Sequence, residues 1–178
     1  RQKANLEVTM RLEDESLTTK TKILINISGS GYNYALLPNG SRTVLDNATY
    51  EVSKNGTYAV KVYDIYNNEI IKEITVSNID DIPPTGSCKA VVTSKKTTVE
   101  VNATDNKGVA GYSYIINGST TEFKTNNTYE AAIKAETVKV NVKDISGNTN
   151  TLTCEVEEKN LIAGGLCKKS DITVTLKT

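Results

Sequence analysis

Apolar and polar residues alternate along most of the chain with a period of two. This alternation is the pattern of half-buried strands in antiparallel sheets. Three apolar residues share one face of a segment in the first half, and the same spacing recurs in the second half: Tyr58, Val60 and Val62, then Val138, Val140 and Val142. No segment shows the spacing of an amphipathic helix. The pattern therefore predicts an all-β protein.

The alternating segments predict short strands separated by turn residues such as Asn39-Gly40. In the first half, strands are predicted at 6–12, 22–28, 32–37, 48–52, 57–64 and 70–77. In the second half, they are predicted at 88–93, 97–104, 111–116, 120–124, 128–134, 137–143 and 150–157. Six or seven short strands with a turn every 8 to 12 residues or so are typical of an immunoglobulin-like β-sandwich.

The two halves also resemble each other in sequence. Gly31-Tyr32-Asn33-Tyr34 matches Gly111-Tyr112-Ser113-Tyr114, and Thr49-Tyr50-Glu51 matches Thr128-Tyr129-Glu130. Residues 60–65 match residues 140–145 in the same order. The repeat is longer than the units of solenoid proteins, so each copy is predicted to be a small domain with its own core.

The boundary between the copies is predicted at residues 79–84. Two consecutive prolines, Pro83 and Pro84, favour extended backbone there and supply no amide donors. We therefore predict two tandem immunoglobulin-like β-sandwich domains, at residues 1–78 and 79–159. Residues 160–178 are predicted to hold a further strand at 172–176, which either begins a third module or pairs with an edge of the second.

Several segments resemble the immunoglobulin-like repeats of Gram-positive surface and cell-wall proteins. Residues 55–64 are similar to the penultimate strand of that family, and Asp144-Ile145-Ser146-Gly147-Asn148 is similar to its Asp-x-x-Gly-Asn hairpin. The resemblance covers most of residues 20–157 and implies an extracellular or cell-surface location in a Gram-positive type of bacterium. The second copy has Val138 where the first has Tyr58, so a tyrosine-corner hydrogen bond is expected in the first module only.

The chain has three cysteines, two of which fall on predicted strands of the second module. Cys88 shares its strand parity with Ala90 and Val92, and Cys154 shares its parity with Leu152 and Val156. Both side chains are therefore expected in the second core, where the first and last strands are neighbours, and we predict a Cys88–Cys154 disulfide. The alternative is a pair of reduced core cysteines. Cys167 is then either free or paired with Cys154 instead.

Composition excludes several function classes. The chain contains no histidine, which removes most hydrolase and zinc mechanisms. Lys plus Arg and Asp plus Glu are 21 each, so no basic surface for nucleic acid is expected. No apolar stretch approaches the length of about 20 residues needed to span a membrane. We predict no catalytic, cofactor-binding or metal-binding residues, and a protein that is not an enzyme.

Two groups of side chains have a functional and a structural interpretation. Asp105-Asn106-Lys107-Gly108 and residues 144–148 could offer oxygen ligands to calcium, but capping of turns by Asp and Asn is the favoured interpretation. Four tyrosines could form a platform for sugars on the sheet, but packing in the core and at sheet edges is the favoured interpretation. These are Tyr32, Tyr34, Tyr112 and Tyr114.

The expected function is that of a non-catalytic spacer, stalk or display module at the bacterial cell envelope. One alternative is an adhesin or carbohydrate-binding module, with cell-wall or host glycans or proteins as partners. Another is an accessory domain of a cell-wall enzyme whose catalytic part lies in another segment. The fold alone does not distinguish these functions. We expect the chain to be a monomer.

Overall fold

The computed structural model describes residues 2–159, and the chain divides into two compact units, Arg1–Asp81 and Ile82–Thr178. Cys167 and the predicted strand at 172–176 lie outside the described residues. The regular elements of residues 2–159 are β-strands. This part of the chain contains no helix that is long and apolar enough to cross a membrane. The all-β prediction is confirmed.

The first module is a sandwich of two antiparallel sheets. Its strands are β1 Asn5–Leu12, β2 Thr21–Ser30, β3 Tyr32–Leu36, β4 Arg42–Thr43, β5 Asn47–Val52, β6 Gly56–Asp64 and β7 Glu69–Val76. They pair in the orders β1-β2-β5 and β4-β3-β6-β7. Alternate apolar side chains of both sheets point inward and form one core that includes Ile23, Ile25, Val60 and Val62, each at most 2% exposed.

The second module is also a sandwich of two sheets. Its strands are β8 Thr85–Val92, β9 Thr97–Thr104, β10 Val109–Ile116, β11 Ser119–Thr120, β12 Thr128–Ala131, β13 Val138–Asp144, β14 Thr149–Thr153 and β15 Glu155–Glu158. They pair in the orders β12-β9-β8-β15 and β11-β10-β13-β14. β15 pairs with β8 in parallel, whereas the other paired strands of this module are antiparallel. The core includes Val99, Tyr114 and Val140, each fully buried.

The prediction of one continuous strand at 150–157 is wrong. The chain leaves one sheet at Cys154, so that β14 pairs with β13 and β15 pairs with β8 in the opposite sheet. The alternation of inward and outward side chains restarts at this crossing. Val156, predicted to point inward, is therefore 42% exposed.

The match between the two Gly-Tyr-x-Tyr segments is wrong as a structural equivalence. Tyr34 pairs with Tyr63, whereas Lys143, the counterpart of Tyr63, pairs with Gly111. β3 begins one residue after Gly31, whereas β10 begins two residues before Gly111, so the Gly-Tyr segment lies three residues further along its strand in the second module. Tyr34 therefore corresponds in space to Gly111, and not to Tyr114.

The end of the first module also differs from its sequence interpretation. The predicted boundary begins at residue 79, but Asp80 is only 3% exposed. Its backbone N–H donates to the carbonyl oxygen of Thr18 at 2.9 Å. The first module therefore includes this residue in its fold.

Candidate functional site

A hairpin turn at one end of the first module holds the incoming chain. Asp64, at the end of β6, is 2% exposed, and its Oδ1 accepts hydrogen bonds from the backbone N–H groups of Tyr66 and Asn68, each at 2.8 Å. Its Oδ2 accepts from the backbone N–H of Ala4 at 3.0 Å and from Asn68 Nδ2 at 2.7 Å. Asn68 Nδ2 also donates to the carbonyl oxygen of Gln2 at 2.8 Å. The pair Asp64 and Asn68 therefore fastens residues 2–4 to the hairpin.

These hydrogen bonds determine the protonation of Asp64. Burial by itself raises the pKa of this carboxyl group, but the donors from Ala4, Asn68 and Tyr66 outweigh burial and hold the pKa well below its usual range. The side chain is therefore ionised at neutral pH, and its full hydrogen-bonding capacity stabilises the folded module.

The second module repeats this device at the equivalent turn. Asp144 is fully buried, and its Oδ1 accepts from the backbone N–H groups of Ser146, Gly147 and Asn148 at 2.9, 2.6 and 2.8 Å. Its Oδ2 accepts from Asn148 Nδ2 at 2.7 Å. Asn148 Nδ2 also donates to the carbonyl oxygen of Ile82 at 3.4 Å. The incoming chain is again fastened by an Asp and an Asn that are four residues apart.

The two hairpins differ in how the incoming chain meets the carboxylate. The residue at the position of Ala4 is Pro84, which has no backbone N–H to donate to the carboxylate. Instead, Asn150 Nδ2 donates to the carbonyl oxygen of Pro84 at 2.9 Å. Sequence analysis identified the hairpin at 144–148 but not its contact with the incoming chain. The recurrence of Asp and Asn four residues apart in both copies was the signal available for it.

The outgoing chain of the first module is fastened by backbone and side-chain amides. Asn55 Oδ1 accepts from the backbone N–H of Ile79 at 2.9 Å, and Asn55 Nδ2 donates to the carbonyl oxygen of Ile79 at 2.8 Å. Thr18 forms a parallel bridge with Ile79, and its N–H donates to the carbonyl oxygen of Asn78 at 3.0 Å. These contacts were not predicted, because Asn55-Gly56 has the ordinary sequence of a turn.

The outgoing chain of the second module is fastened by a covalent bond and a parallel strand pair. Cys88 on β8 forms a disulfide with Cys154, the residue between β14 and β15. Both cysteines are buried, at 4% and 7% exposure. Beyond the disulfide, β15 pairs along β8 up to Glu158 and Val92, and the N–H of Lys159 donates to the carbonyl oxygen of Val92 at 2.8 Å.

The tyrosine corner lies in the first module, as the sequence indicated. Tyr58 Oη donates to the carbonyl oxygen of Lys54, four residues upstream, at 2.7 Å. In the second module, β13 has Val138 at this position, and Val138 is buried in the core.

The predicted tyrosine platform does not form as a shared surface. Tyr114 is fully buried, its Oη donates to the carbonyl oxygen of Asn126 at 2.6 Å, and burial raises its pKa to about 12. Tyr112 is 9% exposed. Tyr32 Oη donates to the carbonyl oxygens of Thr43 and Leu45, each at 3.2 Å. The favoured interpretation, structural packing, describes these three residues.

Tyr34 lies on the outer face of the first module, but its ring is already covered. It stacks on Tyr63 with ring centroids 4.7 Å apart, and the guanidinium of Arg42 lies 4.1 Å from its centroid. β3 lies between β4, which carries Arg42, and β6, which carries Tyr63, so the two groups flank the ring from opposite sides. Tyr63 Oη donates to Glu69, and this hydrogen bond is the main cause that raises the pKa of Tyr63. No face of Tyr34 is left for stacking against a sugar.

The predicted acidic turn of the second module caps its own backbone. Asp105 Oδ1 accepts from the N–H groups of Lys107 and Gly108 at 2.8 and 3.0 Å, as expected for an Asx turn. Within the described residues, its Oδ2 is buried without a hydrogen-bond partner. Carboxylate oxygens of Asp105 and Asp144 lie within 4.8 Å of each other. Turn capping is the favoured interpretation of this segment, and the calcium alternative stays a prediction.

Comparison with known proteins gives one family match. Residues 86–154 match the bacterial Ig domain family. The match begins in β8 and ends at Cys154, so it covers most of the second module. No curated protein matches the chain in sequence.

Several solved structures are similar in fold at low sequence identity. Fibronectin(III)-like modules of CbhA from Clostridium thermocellum share 13% identity, with 84% of this chain and 95% of that chain covered and a TM-score of 0.42. An adhesin of an Antarctic bacterium, described as Ca²⁺-stabilised and ice-binding, shares 15% identity over 88% of this chain and 49% of that one, at a TM-score of 0.47. A C-terminal fragment of intimin shares 9% identity over 86% of this chain and 65% of that one, at a TM-score of 0.45.

Proposed function

We propose that this chain is a non-catalytic part of an extracellular bacterial surface protein, in a Gram-positive type of cell, and that it acts as a spacer or stalk. The match of residues 86–154 to a bacterial Ig domain supports a surface module. The disulfide supports an oxidising location outside the cytosol. The observation that carries the proposal is that the chain enters and leaves each module at opposite ends of its sandwich.

In the first module, the strand register gives this direction. The hairpin at Asp64, which holds residues 2–4, lies beside the pair Tyr63 and Glu69 at one end of β6 and β7. The chain leaves after Val76, which pairs with Gly56 at the other end of the same two strands. Seven residue steps of an antiparallel strand separate these ends, or about 24 Å. The chain therefore traverses the length of the module.

The second module has the same direction. Asn148 and Asn150 hold Ile82 and Pro84 just before β8 begins. The last described contact is Lys159 to Val92, at the far end of β8. A domain crossed from end to end in this way adds its length to the protein that contains it. Repetition of such a domain extends the protein without any need for a binding site.

The side-chain chemistry supports a passive role. The chain has no histidine to serve as a general base. The faces of Tyr34 are taken by Tyr63 and Arg42, so the clearest aromatic candidate for sugar stacking is engaged within the module. The exposed apolar side chains are spread over several loops and strands, for example Leu45, Ile71 and Phe123. Scattered exposed apolar residues are normal on a protein surface.

A display experiment tests the proposal. The chain is placed between a surface anchor and an epitope tag on a bacterial cell, and binding of a labelled antibody to the tag is measured. Deletion of either module is expected to lower antibody access, because the tag then lies closer to the wall. Replacement of both modules by an unrelated pair of β-sandwiches of equal length is expected to restore access.

Two results would contradict this function. One is that access depends on exposed side chains, so that the equal-length replacement fails while the native pair succeeds. The other is specific and saturable binding of the purified chain to a cell-wall or host glycan on an array. Loss of that binding in Tyr63→Ala, with normal folding, would support the adhesin alternative instead.

A further inference from the structure

The two modules are fastened at their outgoing ends by different kinds of bond. The first module contains no cysteine, and its outgoing segment is held by hydrogen bonds from Asn55 and Thr18. The second module has the Cys88–Cys154 disulfide at the corresponding place. A spacer is loaded through its chain ends, so this difference determines how each module responds to tension.

We propose that the pair has a built-in asymmetry under tension: the first module extends when it unfolds, whereas the second is locked by its disulfide and extends only after reduction. This inference rests on the proposed spacer function. It assigns a mechanical role to Cys88 and Cys154 that goes beyond their contribution to folding.

The path of the force through the second module supports the assignment. Force enters at the start of β8, reaches Cys88, crosses the disulfide to Cys154 and leaves along β15. The residues between the two cysteines, which are 66 positions apart in sequence, lie in a closed loop outside this path. That loop holds β9 to β14, so most of the module bears no tension while the bond is intact.

The strand direction adds resistance once the disulfide has been reduced. β15 runs parallel to β8 over four register pairs, from Lys89 and Glu155 to Val92 and Glu158. Without the covalent bond, a pull on the start of β8 and the end of β15 loads these hydrogen bonds in shear, together and not one after another. The parallel bridge between Thr18 and Ile79 gives the first module a shorter contact of the same kind.

The chain length that each module releases is large enough to be measured, and the locked second module releases almost none. An extended chain spans at most about 3.3 to 3.6 Å per residue, so release of the closed loop adds on the order of 230 Å. Unfolding of the first module between Ala4 and Ile79, its first and last fastened residues, releases a similar length, about 240 Å after its folded span is subtracted. With the disulfide intact, the second module has only about a dozen residues outside the loop, and their fully extended length is close to the folded span of the module.

Reduction is a balanced exchange with a dithiol reductant. A thiolate of the dithiol attacks one sulfur of the disulfide, the bond between Cys88 and Cys154 breaks, and the second thiol of the reagent closes its own disulfide. Two protein thiols result. Because both cysteines are buried, the folded module shields the bond from such a reagent.

Single-molecule stretching of the complete chain between two reference domains tests the proposal. The oxidised protein is expected to show one long extension step of about 240 Å. Stretching of protein that has been reduced with a dithiol in denaturant and refolded with its thiols kept reduced is expected to add a second step on the order of 230 Å. The variant Cys88→Ala with Cys154→Ala is expected to match the reduced protein. If the second module of this variant does not fold, the same added length appears as extension at low force, before the first module unfolds.

The single step of the oxidised protein is assigned by substitution. Asn55→Ala removes both hydrogen bonds to Ile79 and is expected to lower the force of that step, whereas Asn33→Ala, at an exposed position of β3, is expected to leave it unchanged. Two long steps in oxidised protein would overturn the proposal, and so would reduction without added length. Failure of the display experiment alone would refute the spacer function but leave these extension steps unchanged.

Discussion

Removal of the disulfide should destabilise the second module and leave the first unchanged. The double substitution Cys88→Ala with Cys154→Ala removes the crosslink and adds no polar group to the core. Both cysteines contact the apolar cluster around Ala90 and Val140. Alanine keeps part of this packing, so the main loss is the covalent constraint.

The size of the effect follows from the loop that the bond closes. A crosslink across 66 positions removes unfolded-chain entropy that corresponds to about 4 kcal/mol at 25 °C. For a domain of this size, a loss of 1 kcal/mol lowers the melting temperature by roughly 4 to 8 °C. The second module should therefore melt some 15 to 30 °C lower, or fail to fold at 37 °C.

Hydrogen exchange measured by mass spectrometry during thermal or urea unfolding distinguishes the modules. Peptides from β9 and β13 should lose protection much earlier in the double variant, and peptides from β2 and β6 should not change. A shift of only a few degrees in the second module would refute the loop-entropy reasoning. A comparable shift in the first module would refute the independence of the two cores.

Three further substitutions test other contacts. Stability of the first module should fall as the pH drops below about 4, because the folded pKa of Asp64 lies below its unfolded value and the stability it contributes is lost on protonation. Asp64→Asn should weaken this acid dependence and destabilise the module at pH 7, and urea unfolding between pH 2 and 7 measures both effects. Tyr58→Phe should destabilise the first module by about 1 kcal/mol, because it removes the hydrogen bond to Lys54; an unchanged urea midpoint would show that this corner contributes nothing. Gly86→Ala should destabilise the second module by about 1 to 3 kcal/mol, because a Cβ there would lie 2.3 Å from the carbonyl oxygen of Asn102; Ser87→Ala, at the exposed neighbouring position, is the control in the same melting experiment.

The long strands were predictable because each module buries one face of each sheet, whereas the predictions at 120–124 and 128–134 were too long, since the strands there are Ser119–Thr120 and Thr128–Ala131. Burial on one face imposes the period of two on residues such as Val60 and Val62, and the sequence displays that period directly. The pairing of Cys88 with Cys154 followed from the same parity. The crossing at Cys154 did not, because a change of sheet occurs within one residue and leaves no turn signal.

The contacts at the module ends were less accessible to sequence analysis. The hydrogen bond from Asn55 to Ile79 joins residues 24 positions apart, and the one from Asn68 to Gln2 joins residues 66 positions apart. The local sequence around an asparagine that bonds a distant backbone group is the same as that around an asparagine in an ordinary turn. The Gly-Tyr-x-Tyr match misled for a related reason, since identical letters do not fix which residue of a strand faces its neighbour.

The hairpins at Asp64 and Asp144 affect how such a protein can change over generations. Each hairpin forms hydrogen bonds with a segment of its own module, so the hairpin and the segment that it binds are encoded by one continuous piece of DNA. Gene duplication or recombination at a module boundary then transfers a complete, self-fastened unit. Copies can be gained, lost or exchanged between genes without a compensating mutation in the neighbouring repeat.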